Sequence, residues 1–278
     1  MKVAAIAVLL VVVAAGCGSS SSAPQITIGA ARTFKLGDWS PALVRAGKPA
    51  VVSFRIEQPS GEPLTEYRTG SGPHTGVHLI IVRSDLGTIV HRHPKPQANG
   101  MFSEAVTLPT PGRYKVVVDA YPKLSGPLRN FQLTRWITVP GKAPHQALPP
   151  FRPVTTVNGY RFALQGKPNL RAIQPNFLTL RVTRPNGTPA TFTPWFGALA
   201  HAIFFRAGDL AYFHTHVCSA QTSGCTSVLG GTRVTGTQTK PGVLHVGVLL
   251  PVSGTWRLFL QSKVDGRVMT ASFTLNVR

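Results

Sequence analysis

Six of the nine histidines in this chain fall into two matched sets. His78 precedes the pair His91-Arg92-His93 by thirteen positions, and His201 precedes His214-Thr215-His216 by the same thirteen. Neutral imidazole is a ligand for copper(II), zinc and nickel, so three rings on one face make a candidate metal site. His74 could add a fourth ligand to the first set and His245 to the second. Met101 and Met269 are the only methionines after Met1, which disfavours a thioether-rich copper(I) site. The alternative is that these rings pack between sheets, hydrogen-bonded to backbone.

Placing three rings on one face takes a hairpin. An apolar run, a polar turn with Asp and Gly, and a second apolar run separate each lone His from its pair, which is a hairpin pattern. A two-residue turn at Ala207-Gly208 sets Arg206 opposite Asp209 and His201 opposite His214. The same centring on Ser84-Asp85 sets His78 opposite His91. Residues i and i+2 share a strand face, so each His-x-His adds its second ring there. The expectation is one three-histidine site per hairpin, with Asp85 and Asp209 stabilising the turns.

The repeat is longer than the hairpins. Phe54 to Pro63 aligns with Leu180 to Pro189, each an alternating strand running into a Pro/Gly turn. Leu108 to Val118 aligns with Leu250 to Leu260, each a Gly turn followed two residues later by an aromatic, Tyr114 or Trp256. Such an aromatic resembles the tyrosine corner of Greek-key sandwiches. Many short strands without helical periodicity predict an all-β fold of two tandem immunoglobulin-like, Greek-key β-sandwich domains, 26–140 and 154–278, joined by a Pro-rich linker, 141–153. The second carries about twenty extra residues after its His pair, by the typical variability of loops between strands. Cys218 and Cys225 lie in that insertion and are expected to form a disulfide.

Met1-Lys2 and the apolar run to Ala15 read as a signal peptide, too short to span a bilayer. Val13-Ala14-Ala15-Gly16-Cys17 resembles the bacterial lipobox, which implies cleavage after residue 16 and lipidation of Cys17, leaving residues 17–25 as a Ser-rich tether. That places the chain on the extracytoplasmic face of the cell membrane, held by a lipid anchor. Lys and Arg outnumber Asp and Glu by 29 to 9, a net charge of +20, which suits anionic envelope polymers. No nucleic-acid motif is present, and neither is a nucleophile elbow or a phosphate-binding Gly loop.

From Phe196 through His201 to His216, and again over Gly254 to Gln261 and Gly266 to Thr274, the sequence resembles a family of bacterial secreted proteins and lipoproteins with tandem immunoglobulin-like modules. The first module is similar through His78, Asp85 and His91-Arg92-His93-Pro94. The family pattern has Pro and an acid after the second His of the pair; here Val217-Cys218 and Pro94-Lys95 stand there. A more distant likeness is to copper-handling β-sandwich modules of the periplasm. Together these features predict a non-catalytic, membrane-anchored envelope lipoprotein that binds copper or zinc through His78, His91, His93, His201, His214 and His216. The alternative function is a structural or adhesion module that binds an anionic wall polymer or a partner protein.

Overall fold

The computed structural model describes residues 33–124, 130–219, 225–229 and 232–278. Cys17, the signal stretch and the whole of the tether lie outside the described residues. Among the described residues there is no helix. Thr33–Arg278 form one compact unit.

The first seven strands are β1 (Lys35–Ser40), β2 (Pro49–Glu57), β3 (Val77–Arg83), β4 (Ile89–Arg92), β5 (Met101–Thr107), β6 (Gly112–Ala120) and β7 (Phe131–Val139). They make a sandwich of two sheets, β1-β2-β5 and β4-β3-β6-β7. Strict alternation sends Val52, Phe54 and Ile56 of β2 into the core, while Val51 on the opposite face stays exposed. From the other sheet Leu79, Ile81, Val116 and Val118 meet them.

The second half repeats this plan with additions. Its strands are β8 (Val154–Val157), β9 (Tyr160–Leu164), β10 (Asn176–Thr183), β11 (Phe192–Thr193), β12 (Ala200–Arg206), β13 (Tyr212–Cys218), β14 (Thr226–Leu229), β15 (Thr232–Lys240), β16 (Val243–Val248), β17 (Gly254–Val264) and β18 (Arg267–Val277). The order β13-β12-β17-β18 reproduces β4-β3-β6-β7, and β9-β10-β16 reproduces β1-β2-β5. Strand β15 pairs in parallel with the end of β13 and antiparallel with β16, so the two layers join into one wrapped sheet. This link is the insertion of the second module, closed by the Cys218–Cys225 disulfide.

The corner aromatics behave alike in both halves. Tyr114 Oη donates to Thr110 O at 2.8 Å, and Trp256 Nε1 donates to Val252 O at 3.1 Å, each four residues upstream. Both side chains are fully buried.

Strands β3 and β12 depart from the two-faced pattern: nearly all their residues are buried on both sides. Their outer faces pack against each other. Ile80, Val82, Leu86 and Val117 of the first sandwich form one apolar cluster with Ile203, Phe205, Leu210 and Phe259 of the second. The sequence reads as two self-contained domains, whereas here the sandwiches share a buried face. The stretch 141–153 has no strand and is tied to that junction: Pro144 O accepts from Arg83 Nη2, Gln146 N donates to Asp85 Oδ2, and Leu148 packs on the apolar cluster.

A shared face predicts coupled unfolding. Phe205→Ala removes a fully buried ring between the sandwiches and should cost about 3–5 kcal/mol. Because Trp39 and Trp136 report on one half and Trp195 and Trp256 on the other, fluorescence should record a single transition, moved downward as a whole. Two resolved transitions, one of them unmoved by the substitution, would contradict this coupling.

Candidate metal centre

The alternating pattern puts His78, Ile80 and Val82 on the outer face of β3 and His201, Ile203 and Phe205 on that of β12. His91 and His93 follow on and after β4, and His214 and His216 on β13. The hairpin register differs from the expected one. Ile80 faces His91 and Ile203 faces His214, while His201 faces His216. The reason is loop length: Arg83 N bonds Thr88 O and Arg206 N bonds Ala211 O, which leaves four-residue loops in place of two-residue turns. Pairing moves by two residues, an even step, so the three rings of each hairpin stay on one face.

The turn carboxylates have separate tasks. Asp85 is buried, accepts from Gly87 N and lies 3.4 Å from Arg83 Nη2. Asp209 accepts from Arg206 Nε and Ala211 N, and these contacts hold its carboxyl down to about 2.

The larger departure is that the two hairpins build one cluster. His78, His91, His93 and His201 have ring nitrogens within 4.8 Å of one another, and so do His78, His201, His214 and His216. The rings repeat under exchange of the two modules. His78–His214 centroids lie 5.1 Å apart and His201–His91 4.9 Å; His78–His216 lie at 5.7 Å and His201–His93 at 5.6 Å. The hairpins therefore face each other about a pseudo-two-fold axis, as in an isologous interface.

Three of the rings have their tautomer fixed from outside. His78 Nε2 donates to Pro73 O at 2.8 Å, and His201 Nε2 donates to Trp195 O at 2.9 Å. His91 Nδ1 donates to Gln261 Oε1 at 3.1 Å, and that amide is oriented by its Nε2 donating to Thr270 Oγ1. With one ring nitrogen committed, each neutral ring keeps its lone pair on the other: Nδ1 of His78 and His201, Nε2 of His91. His93 Nε2 lies 3.0 Å from His91 Nε2, and His214 Nε2 lies 3.3 Å from His201 Nδ1. His78 Nδ1, His214 Nδ1 and His216 Nε2 are buried with no hydrogen-bond partner. A native interior rarely leaves such atoms unsatisfied.

His74 joins the cluster from a place the sequence did not suggest. Nominated for the first site, it lies 3.1 Å through Nε2 from His216 Nδ1 of the second module and stacks on Tyr121. His245 is not brought in. It sits on the outward side of β16, with Nδ1 3.1 Å from Thr179 Oγ1, because Leu244 and Val246 occupy the core side.

Burial and neighbouring imidazoles hold all the cluster histidines neutral. His78, His91, His214 and His216 are pushed well below the usual histidine value, first by desolvation and then by adjacent rings, and His93 is lowered for the same reasons. His74 falls to about 4 through burial and Arg68, and His201 to about 4 through burial against the opposing pull of the Trp195 carbonyl. Beside them Asp119 accepts from Asn130, Gln132 and Tyr212 of the other module, while burial raises its carboxyl to about 6.

Pro73, Trp195, Phe196, Tyr121 and Gln261 escaped the sequence reading as site residues. Phe196 stacks on His93 at 3.9 Å, and it opens the segment that carries the family resemblance. Pro73 and Trp195 act through backbone carbonyls, which no residue type encodes.

Fold and site define a tandem β-sandwich protein with a histidine cluster between its halves. Residues 155–278 match a domain of unknown function, DUF8832. No curated protein matches the chain. Among solved structures, a Salmonella alpha-2-macroglobulin mutant is 13% identical over 89% of this chain and 15% of its own, with a TM-score of 0.27. The bacterial integrin-binding protein invasin is 16% identical over 88% of this chain and 38% of its own, TM-score 0.23. A chimeric titin tandem is 12% identical over 85% of this chain and 94% of its own, TM-score 0.21. The chain thus spans only a small part of the Salmonella protein, and the fold assignment rests on the strand order above.

Neutral burial has a sign in pH. Folded values below the unfolded value of about 6.5 leave stability complete above that pH and remove it as pH falls. Each histidine still neutral when its unfolded counterpart is charged removes about 1.4 kcal/mol per pH unit. Seven such rings would exhaust a typical stability of about 5–15 kcal/mol within roughly two units. Urea midpoints of metal-free protein should be flat above about pH 6.5 and fall steeply toward about pH 4.5. A flat profile across that range would refute neutral burial.

Proposed function

We propose that this protein is a membrane-anchored lipoprotein of the bacterial cell envelope that captures a transition metal, copper or zinc, between its two sandwiches, without turnover. The observation that carries the reading is the inward lone pair on each of His78, His91 and His201, whose other ring nitrogen donates to a protein oxygen. Metal-binding imidazoles are commonly oriented this way, because the outer hydrogen bond fixes both ring direction and tautomer. Two nitrogens bound at 2.0–2.1 Å in tetrahedral geometry stand roughly 3.3–3.4 Å apart. The 3.0 and 3.3 Å nitrogen pairs of the cluster are close to that spacing.

Neutral rings favour binding at neutral pH without proton release from the ligands. The buried carboxylate of Asp119, opposite His78 in the strand register, is already occupied by hydrogen bonds from Asn130, Gln132, Tyr212 and Tyr121, which leaves it poorly placed as a general base and supports capture over catalysis. Export and anchoring rest on Met1 to Cys17.

Titrating the mature protein with copper(II) and with zinc near neutral pH should give at least one tightly held ion per chain. Retention of neither metal would make the histidines structural and overturn the reading. Cys17→Ser should move the protein from the membrane fraction to the soluble one; an unchanged distribution would remove the anchor from the proposal.

A further inference from the structure

We propose that the centre holds two copper ions, one on His78, His91 and His93 and the other on His201, His214 and His216, each with an open position toward its neighbour. The inference rests on reading the cluster as a metal centre and goes beyond it in number, identity and partition of the ions.

The partition follows from nitrogen valence. His78 and His201 belong to both four-histidine groups. Each commits Nε2–H to a carbonyl, so each has one lone pair and can serve one ion only. Exchange of the modules converts His78, His91, His93 and His201 into His201, His214, His216 and His78, so the two groups are images of each other. One ion in the first group leaves Nε2 of the buried His216 with nothing to satisfy it. Such an atom costs about 1–3 kcal/mol. A second ion on the second hairpin removes that deficit. Three rings then remain for each ion: His78–His93 and His91–His93 centroids are 3.9 and 4.9 Å apart, and His214–His216 and His201–His216 are 4.3 and 4.8 Å apart.

Charge selects the metal. The six ligands are neutral, with neither carboxylate nor thiolate among them. Two divalent ions would place four positive charges in a buried site, and desolvation opposes that strongly. Monovalent copper halves the charge, and zinc has no such state. Three ligands per ion also leave a vacant direction on each, and His91–His214 centroids stand only 5.4 Å apart across the junction. The space between the ions is therefore where a small bridging molecule, such as hydroxide or dioxygen, would sit.

The full chain is loaded anaerobically with copper(I), and bound copper is counted by native mass spectrometry. The holoprotein is then oxidised with ferricyanide, which takes one electron from each ion, and examined by electron paramagnetic resonance. Two ions per chain with a broadened or lost copper(II) signal are expected. His91→Asn with His93→Asn should retain one ion, now with the full signal of an isolated copper(II). One ion in the wild type, or none in this variant while it stays folded, would overturn the dinuclear centre and leave the capture function standing. No copper and no zinc in the wild type would overturn both. Should the variant fail to fold, the mirror variant His214→Asn with His216→Asn and the wild-type ratio decide the matter.

Discussion

Imidazole buried on both faces of a sheet junction must find a partner for every ring nitrogen, and the rest of this molecule is arranged around that demand. The N–H partners come from outside the hairpins. Pro73 O and Trp195 O lie five and six residues ahead of His78 and His201, and Gln261 comes from β17. The two preceding loops must therefore fold down over the cluster. They touch: a Cβ on Gly197 would meet Gly72 and Ser71 backbone at 2.7 Å. Gly197 also has a φ of +76°, a conformation other residues adopt at a cost. A glycine there is what lets one module's loop lie on the other's.

The junction divides into two halves with opposite energetics. On one side Ile80, Val82, Val117, Ile203, Phe205 and Phe259 leave water together, each worth roughly 1.5–3 kcal/mol of transfer free energy. Leu86 and Leu210 join them from the hairpin loops despite positive φ values of 62° and 54°. Burial of each leucine offsets the strain of that conformation, about 1–2 kcal/mol. On the other side the rings gain little from leaving water, and their unpaired nitrogens oppose folding. The apolar half thus holds the sheets together closely enough for the polar half to exist. Lys115 and Tyr212 stitch the boundary, donating across it to Leu210 O and Asp119 Oδ2.

Much of this was legible in the chain. Period-two alternation, Pro/Gly turns and the two corner aromatics gave the β-sandwich repeat, and equal thirteen-residue spacing gave the ring sets. What escaped was where the outer faces go. Val-His-Leu-Ile-Ile-Val in β3 is apolar on both faces, the signature of a strand covered twice. Read as one strand of an independent hairpin, it implied one site per hairpin; read as a doubly covered strand, it would have implied a partner face as apolar as itself, and Ala-Ile-Phe-Phe in β12 offers one. The register error has a different cause. Asp and Gly mark a turn without fixing its length, and two- and four-residue loops preserve the same strand parity. His245 was a proximity argument along the sequence, and strand parity at Leu244 and Val246 sends it the other way.

Joining the two copies in one chain permits what a symmetric dimer could not. In a homodimer every contact would occur twice, but here equivalent positions have diverged where they meet the rings. Asp119 faces His78 in the register where Gln261 faces His201. Gln261 supplies an acceptor to His91, while Asp119 turns to Asn130, Gln132 and Tyr212, so His214 Nδ1 receives no such partner. Likewise Phe196 stacks on His93 where His74 approaches His216. One half is clad in an aromatic ring and the other has an additional nitrogen within reach. The two halves of the centre are thus related in geometry and unequal in surroundings, and inequality of that kind is how neighbouring sites with the same ligands come to differ in affinity.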